Sequence, residues 1–206
     1  LLTERDWRAR SPEAEAAPEP PVVSYTKLPV RSDGKKIKVS IICSVYNGAV
    51  YIDDYMRNIV SQSIFKECCE LIIIDAASPG GEIDIITPYL DRLPGRIVYE
   101  RLPYRATIYD AWNIAISRAR GEYITNANLD DLRRGDSIEV QCGVLDRLDF
   151  VDVVYQDVIY TLDWRMPFEA ALRRGFTSDL PVITPQNLLT YNSPHNAPMW
   201  RRQLHD

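Results

Sequence analysis

The chain has 206 residues, 46% hydrophobic, 26% charged and 10% aromatic, a balance that excludes collagen-like, coiled-coil and wholly disordered proteins. Its length admits one domain with some extra, or two small ones, and a domain of this size buries about 70% of its unfolded surface without staples. A net charge of −5 argues against a broad nucleic-acid footprint, and no apolar run approaches the ~18 residues of a membrane span.

Residues 1–36 stand apart. Pro12, Pro18, Pro20, Pro21 and Pro29 fall here, and residues 11–21 alternate Pro, Glu and Ala. Such a segment buries little apolar surface and reads as a proline-rich linker or N-terminal arm, with a short helix possible over 2–10. A regular rhythm then begins. Residues 38–45 (KVSIICSV) form an apolar, β-branched run that predicts a buried strand. Residues 50–64 have helical apolar spacing, 71–75 (LIIID) predict a second strand, 82–93 a helix containing Pro88, and 96–102 a third strand. Residues 107–119 carry Ile108, Ala111, Trp112, Ala115 and Ile116 at helical spacing, with Gly121 expected as the helix stop, and 122–125 open a fourth strand. Beyond these, 137–148 predict a helix, 151–161 one longer strand or a hairpin, and 168–174 a helix within an otherwise irregular stretch. Short apolar strands alternating with helices predict an α/β fold with a mostly parallel sheet covered on both faces. Cys43, Cys68, Cys69 and Cys142 include no CxxC pair and read as reduced thiols rather than a zinc site.

In an open parallel sheet, ligands bind beyond the carboxyl ends of the strands. Tyr46, Asn47 and Gly48 follow the first strand; Asp75 closes the second, with Ser78 after it; Tyr104 and Arg105 follow the third; Asn128, Asp130 and Asp131 follow the fourth. Each set also has a plain turn-forming or capping role, but their joint placement on one edge predicts a polar ligand site. Adjacent Asp130 and Asp131 suit a hard cation, Mn²⁺ or Mg²⁺, that takes its remaining ligands from water and phosphate oxygens. Asp75 suits a ribose hydroxyl or a base N–H. No GxGxxG and no GxxxxGK[ST] is present, so phosphates would rest on the metal and on arginines such as Arg105, Arg133 or Arg134.

Five segments, VSIICSVYN (39–47), LIIIDAAS (71–78), YDAWN (109–113), ARGEYI (119–124) and NLDD (128–131), come in the order seen in the family 2 glycosyltransferases, which the chain resembles best over residues 37–132. The resemblance implies a GT-A (Rossmann-like) fold and an inverting, metal-assisted transfer of a hexose from a nucleotide-sugar, commonly UDP-linked, to a glycan or glycolipid acceptor. It implies that Ser44, Tyr46 and Asn47 border the nucleotide, that Asp75 contacts the base, that Arg105 faces the diphosphate, that Asn128 stands at the ribose, and that Asp130 and Asp131 occupy the DxD-type metal position. Two residues depart from the family pattern: Ala76 replaces a second aspartate after the second strand, and Asn128 replaces the first aspartate of the DxD-type motif.

The expected organisation is an arm at 1–36 and a GT-A domain at 37–206 cut short on its acceptor side, with the catalytic base beyond Asp206. The resemblance allows His195 or His205 as a late metal ligand, though each reads first as a surface or hydrogen-bonded histidine, and Trp200, Arg201 and Arg202 fit either an acceptor or phosphate surface or a solvated helix face. The expected setting is polysaccharide biosynthesis in the cytoplasm or at the inner face of the cell membrane, within a protein that can carry further domains. Two other readings are an incomplete, non-catalytic nucleotide-sugar-binding domain, motivated by Ala76, Asn128 and the unplaced base, and a nucleotidyltransferase, which the absence of a glycine-rich basic loop after the first strand disfavours.

Overall fold

The computed structural model describes residues 34, 36–163, 165–190 and 197–206; the expected arm, its short helix and His195 lie outside the described residues. In chain order the elements are β1 (Val39–Val45), α1 (Ile52–Val60), α2 (Phe65–Cys68), β2 (Cys69–Asp75), α3 (Glu82–Arg92), β3 (Ile97–Arg101), α4 (Ile108–Arg118), β4 (Tyr123–Asn126), α5 (Ser137–Arg147), β5 (Val153–Val154), α6 (Phe168–Arg174), α7 (Pro185–Leu188), β6 (Met199–Arg201) and a closing 3₁₀ turn (Arg202–His205).

The strands form one sheet in the order β3-β2-β1-β4-β6-β5. β1 pairs in parallel with β2 and β4, and β2 with β3, while β6 runs antiparallel to both β4 and β5. The apolar runs are continuous because both faces of the sheet are covered, and period-two alternation sorts them. Val39, Ile41, Cys43, Val45, Leu71 and Ile73 face a core shared with Ile52, Tyr55, Met56 and Ile59 of α1, Ile86 of α3 and Ile138 and Leu145 of α5. Ile42, Ile72, Ile74, Val98 and Ile124 face the other way, against Ala111 and Ala115 of α4, with Trp200 packed beside them. The chain runs outward from β1 through β2 to β3, then returns to β4 on β1's other side. That reversal puts α1 and α4 on opposite faces and opens a crevice beyond the carboxyl end of β1. The four cysteines are free, and Cys43, Cys69 and Cys142 are buried.

Two expectations are corrected. Gly121 does not stop α4: the helix ends at Arg118 with an extended Ala119, and Gly121 has no positive φ. Gly121 is instead a close-approach residue, since a Cβ there would lie 2.6 Å from the backbone nitrogen of Ser40 on β1, and its N–H donates to Ser40 Oγ at 2.9 Å. The left-handed glycine stop belongs to α6, at Gly175 with φ 71°. Residues 151–161 do not form one long strand. Nor do they form a hairpin among themselves: Val153 and Val154 pair with a β6 of three residues, Tyr155 donates its hydroxyl to the Pro181 carbonyl at 2.5 Å, and Ile159 makes an isolated antiparallel bridge to Thr177.

Candidate active site

A cleft of about 450 Å³ opens at this edge, lined by Ser44, Val45, Tyr46, Ala76 and the segment from Arg105 to Ile108, with Ala111 at its back. Its volume falls within the range of small-molecule sites. Ser44 and Tyr46 come from the end of β1, and Tyr46 is 41% exposed. The Arg105 guanidinium lies over the Tyr46 ring, 4.2 Å from its centroid, a cation–π contact that holds a positive charge at the cleft. The first turn of α4 forms the adjoining wall. Thr107 caps that helix by accepting the Asp110 N–H at 3.2 Å, and its hydroxyl donates to Asp110 Oδ2 at 2.7 Å. Arg105 thus stands beside the N-terminus of α4, whose first turn also carries the Asp110 carboxylate.

Asn47 follows Tyr46 in a left-handed conformation, φ 52°, which asparagine tolerates better than most residues. Its N–H donates to Ser78 Oγ at 3.2 Å, and the Gly48 N–H donates to Glu82 Oε1 at 2.7 Å. Asp75 is fully buried at the end of β2. Its Oδ1 accepts the Ser78 N–H at 2.7 Å, and its Oδ2 accepts the Tyr99 hydroxyl at 2.5 Å and Arg101 Nη1 at 3.2 Å. Arg101 also donates to the Ser78 carbonyl at 2.7 Å. Burial, then the bond to Asp75, raises the Tyr99 hydroxyl above its ordinary pKa, so it remains a donor at neutral pH.

After β4 the chain turns at 128–131. Asn128 Nδ2 donates to Asp131 Oδ2 at 3.0 Å and the Asp131 N–H to the Asn128 carbonyl at 3.3 Å, while Asp130 is exposed. Arg133 anchors this turn from behind. Its guanidinium donates to the Asn126 carbonyl at 2.6 Å, Thr125 Oγ1 at 2.9 Å and Gln141 Oε1 at 3.1 Å, and burial pulls its pKa down to about 10. Arg134 pairs with Asp136. Of the three arginines proposed for phosphate, therefore, Arg105 alone lines the cleft.

Among the described residues, no three His, Cys, Asp or Glu side chains cluster to hold a metal ion. The donor set at 130–131 still fits a hard divalent cation, because an exposed carboxylate beside a second one can share a metal with water and phosphate oxygens. His205 accepts the Trp200 indole N–H at 2.8 Å. Arg201 and Arg202 lie on β6 and in the closing turn rather than on a helix face, and they donate to the backbone carbonyls of Leu145, Val151 and Gly121. The sequence reading did not select Glu82, Tyr99, Arg101 or Thr107. Tyr99 and Arg101 had one visible signal, a two-residue spacing that sets both on one face of the third strand.

The family model for glycosyl transferase family 2 matches residues 40–205. A poly(ribitol-phosphate) beta-glucosyltransferase of Bacillus spizizenii is 33% identical over 95 residues, covering 46% of this chain and 15% of that protein. TarS from S. aureus, residues 1–349 in complex with UDP, superposes with a TM-score of 0.65 at 18% identity, over 82% of this chain and 48% of that one. The mannosyltransferase PcManGT from Pyrobaculum calidifontis, in complex with GDP-Man and Mn²⁺, superposes with a TM-score of 0.58 at 20% identity, over 85% of this chain and 48% of that one. The chain thus spans less than half of each of these proteins, and the two structures share its fold: a mostly parallel sheet flanked by helices, of the GT-A type. Its motifs, its architecture and the match across residues 40–205 agree that the chain belongs to glycosyl transferase family 2.

Proposed function

We propose that the cleft binds the nucleoside diphosphate of a UDP-linked sugar, and that the protein containing this domain transfers the hexose, with inversion, to a hydroxyl of a glycan or glycolipid acceptor in polysaccharide biosynthesis. The observation that carries this reading is the pairing of Arg105 with Tyr46 beside the first turn of α4, at the carboxyl end of a parallel sheet. TarS bound to UDP and the poly(ribitol-phosphate) glucosyltransferase are similar proteins whose names agree with it.

In this reading Ser44, Tyr46 and Asn47 border the nucleotide. Asp75 stands at the base end, where its carboxylate also orders Ser78 and Arg101. Asn128 faces the ribose, and Arg105 with the α4 N-terminus holds the diphosphate. The acceptor oxygen forms a bond to the anomeric carbon as the bond from that carbon to the diphosphate oxygen breaks; the electron pair leaves with UDP, and a carboxylate takes the acceptor proton. Arg105 matters most at this point, because the leaving diphosphate gains charge beside a fixed cation. Asp130 and Asp131 would hold Mn²⁺ or Mg²⁺, which when bound supplies charge compensation for the diphosphate. No helix among the described residues is long and apolar enough to cross a membrane.

A second reading, donor binding without turnover, draws on Asn128, which is uncharged and already bonded to Asp131. Calorimetric titration with UDP, with and without Mn²⁺, tests the shared claim. Binding is expected in the presence of metal, and Arg105→Ala should weaken it by about 10-fold or more, the scale of one charge-assisted hydrogen bond. Absence of UDP binding under either condition contradicts both readings, whereas binding without UDP release from UDP-glucose in the presence of acceptor selects the second.

A further inference from the structure

We propose that Glu82, assisted by Ser78, is a positioning residue that clamps the loop after β1 in its nucleotide-binding shape and sets that loop's distance from the 128–131 turn. The proposal rests on the nucleotide reading above and extends it to residues outside the cleft lining.

Glu82 opens α3, where a carboxylate ordinarily remains in solvent and interacts with the helix dipole. Here it is fully buried. Its Oε1 accepts the Gly48 N–H at 2.7 Å, and its Oε2 has no hydrogen-bond partner. Burying a carboxylate on a single bond is unfavourable, so its placement is explained by what that bond does rather than by its contribution to stability. The bond holds the residue after Asn47, whose φ of 52° needs outside support, and Ser78 Oγ takes the Asn47 N–H itself at 3.2 Å. Two successive amides of the β1 loop are thus fastened to the segment after β2, one to Ser78 in its loop and one to Glu82 at the start of α3. Gly48 also meets the loop after β4: a Cβ at Gly48 would lie 2.4 Å from Leu129 Cδ1, in the 128–131 turn. Gly48 is therefore the shared contact of three strand-end loops, and Glu82 fixes where it sits. Fixing one wall of a site in this way matters because a displacement of about 1 Å in a supporting shell is enough to impair it.

The test uses the 206-residue chain, with backbone amide resonances and UDP affinity measured in the wild type, Glu82→Gln, Glu82→Ala and Ser78→Ala. Glu82→Gln keeps an acceptor oxygen but loses its charge, so the Gly48 amide proton should move upfield while staying protected from exchange, with UDP affinity within about 3-fold of wild type. Glu82→Ala should lose Gly48 protection and bind UDP roughly 10-fold or more weakly with unchanged helical circular dichroism; Ser78→Ala should lose protection at Asn47. A folded Glu82→Ala variant that binds UDP like the wild type overturns the proposal. If Glu82→Ala does not fold, an unmoved Gly48 resonance in Glu82→Gln overturns it instead, and the upfield shift supports it. Should the wild type bind no UDP, the nucleotide reading fails separately, and amide protection at Gly48 and Asn47 alone decides whether the clamp exists.

Discussion

Asp75 shows how a strand-end acid becomes part of a site. Its carboxylate takes a backbone amide, a tyrosine hydroxyl and an arginine, so it orders three neighbours from a fully buried position. Tyr99→Phe removes one neutral donor and should cost about 1 kcal/mol in urea unfolding, while Asp75→Ala leaves all three donors without their acceptor and should cost roughly 2–4 kcal/mol. Equal, negligible losses would show that the carboxylate orders nothing. The position of Asp75 could be read from the sequence, because an acid closing an apolar run is a local signal. Its partners could not, because Tyr99 and Arg101 reach it only through the β2–β3 register, in which Asp75 lies opposite Arg101. Arg133 was misread for the same reason. Next to an acid turn it resembles a phosphate ligand, but the distant Asn58 accepts its backbone N–H, and Thr125, the Asn126 carbonyl and Gln141 take up its guanidinium once the chain folds back on itself.

At the scale of elements, strands with continuous apolar runs and helices with a cap were legible almost to the residue, as α4 shows with Thr107 at its N-terminus. Thr107→Ala should cost about 1 kcal/mol in urea unfolding, the ordinary loss of an N-cap. Gly121→Ala separates the two meanings of a glycine after a helix. A lost C-cap would cost about 1 kcal/mol, but a methyl group driven against the Ser40 backbone should cost more, in the 1–3 kcal/mol range of overpacking or above, because backbone cannot swing aside. A loss below 1 kcal/mol would contradict the close-approach account. Residues 151–161 could not be resolved from sequence, since a strand exists only where a partner does, and β6 offers three residues. An alternating apolar pattern records which faces could be buried, not how much edge is available.

For the whole molecule, the parallel order β3-β2-β1-β4 follows from the alternation of strands and helices, and that order collects four loops on one edge. Of the residues singled out from sequence, Ser44, Tyr46 and Arg105 line the cleft, while Asn47, Asp75, Asn128, Asp130 and Asp131 lie outside its lining. The sequence did not reveal that the loops are fastened to one another through Gly48, because that contact joins residues from three separate crossovers. The cleft is proposed to receive a nucleoside diphosphate. The most direct test is to map backbone amide shifts on the ¹⁵N-labelled chain as UDP is added with Mg²⁺. The largest shifts are expected at Ser44, Tyr46, Asn47 and residues 105–108; an unchanged spectrum, or shifts confined to residues 155–190, would show that the cleft does not receive the diphosphate.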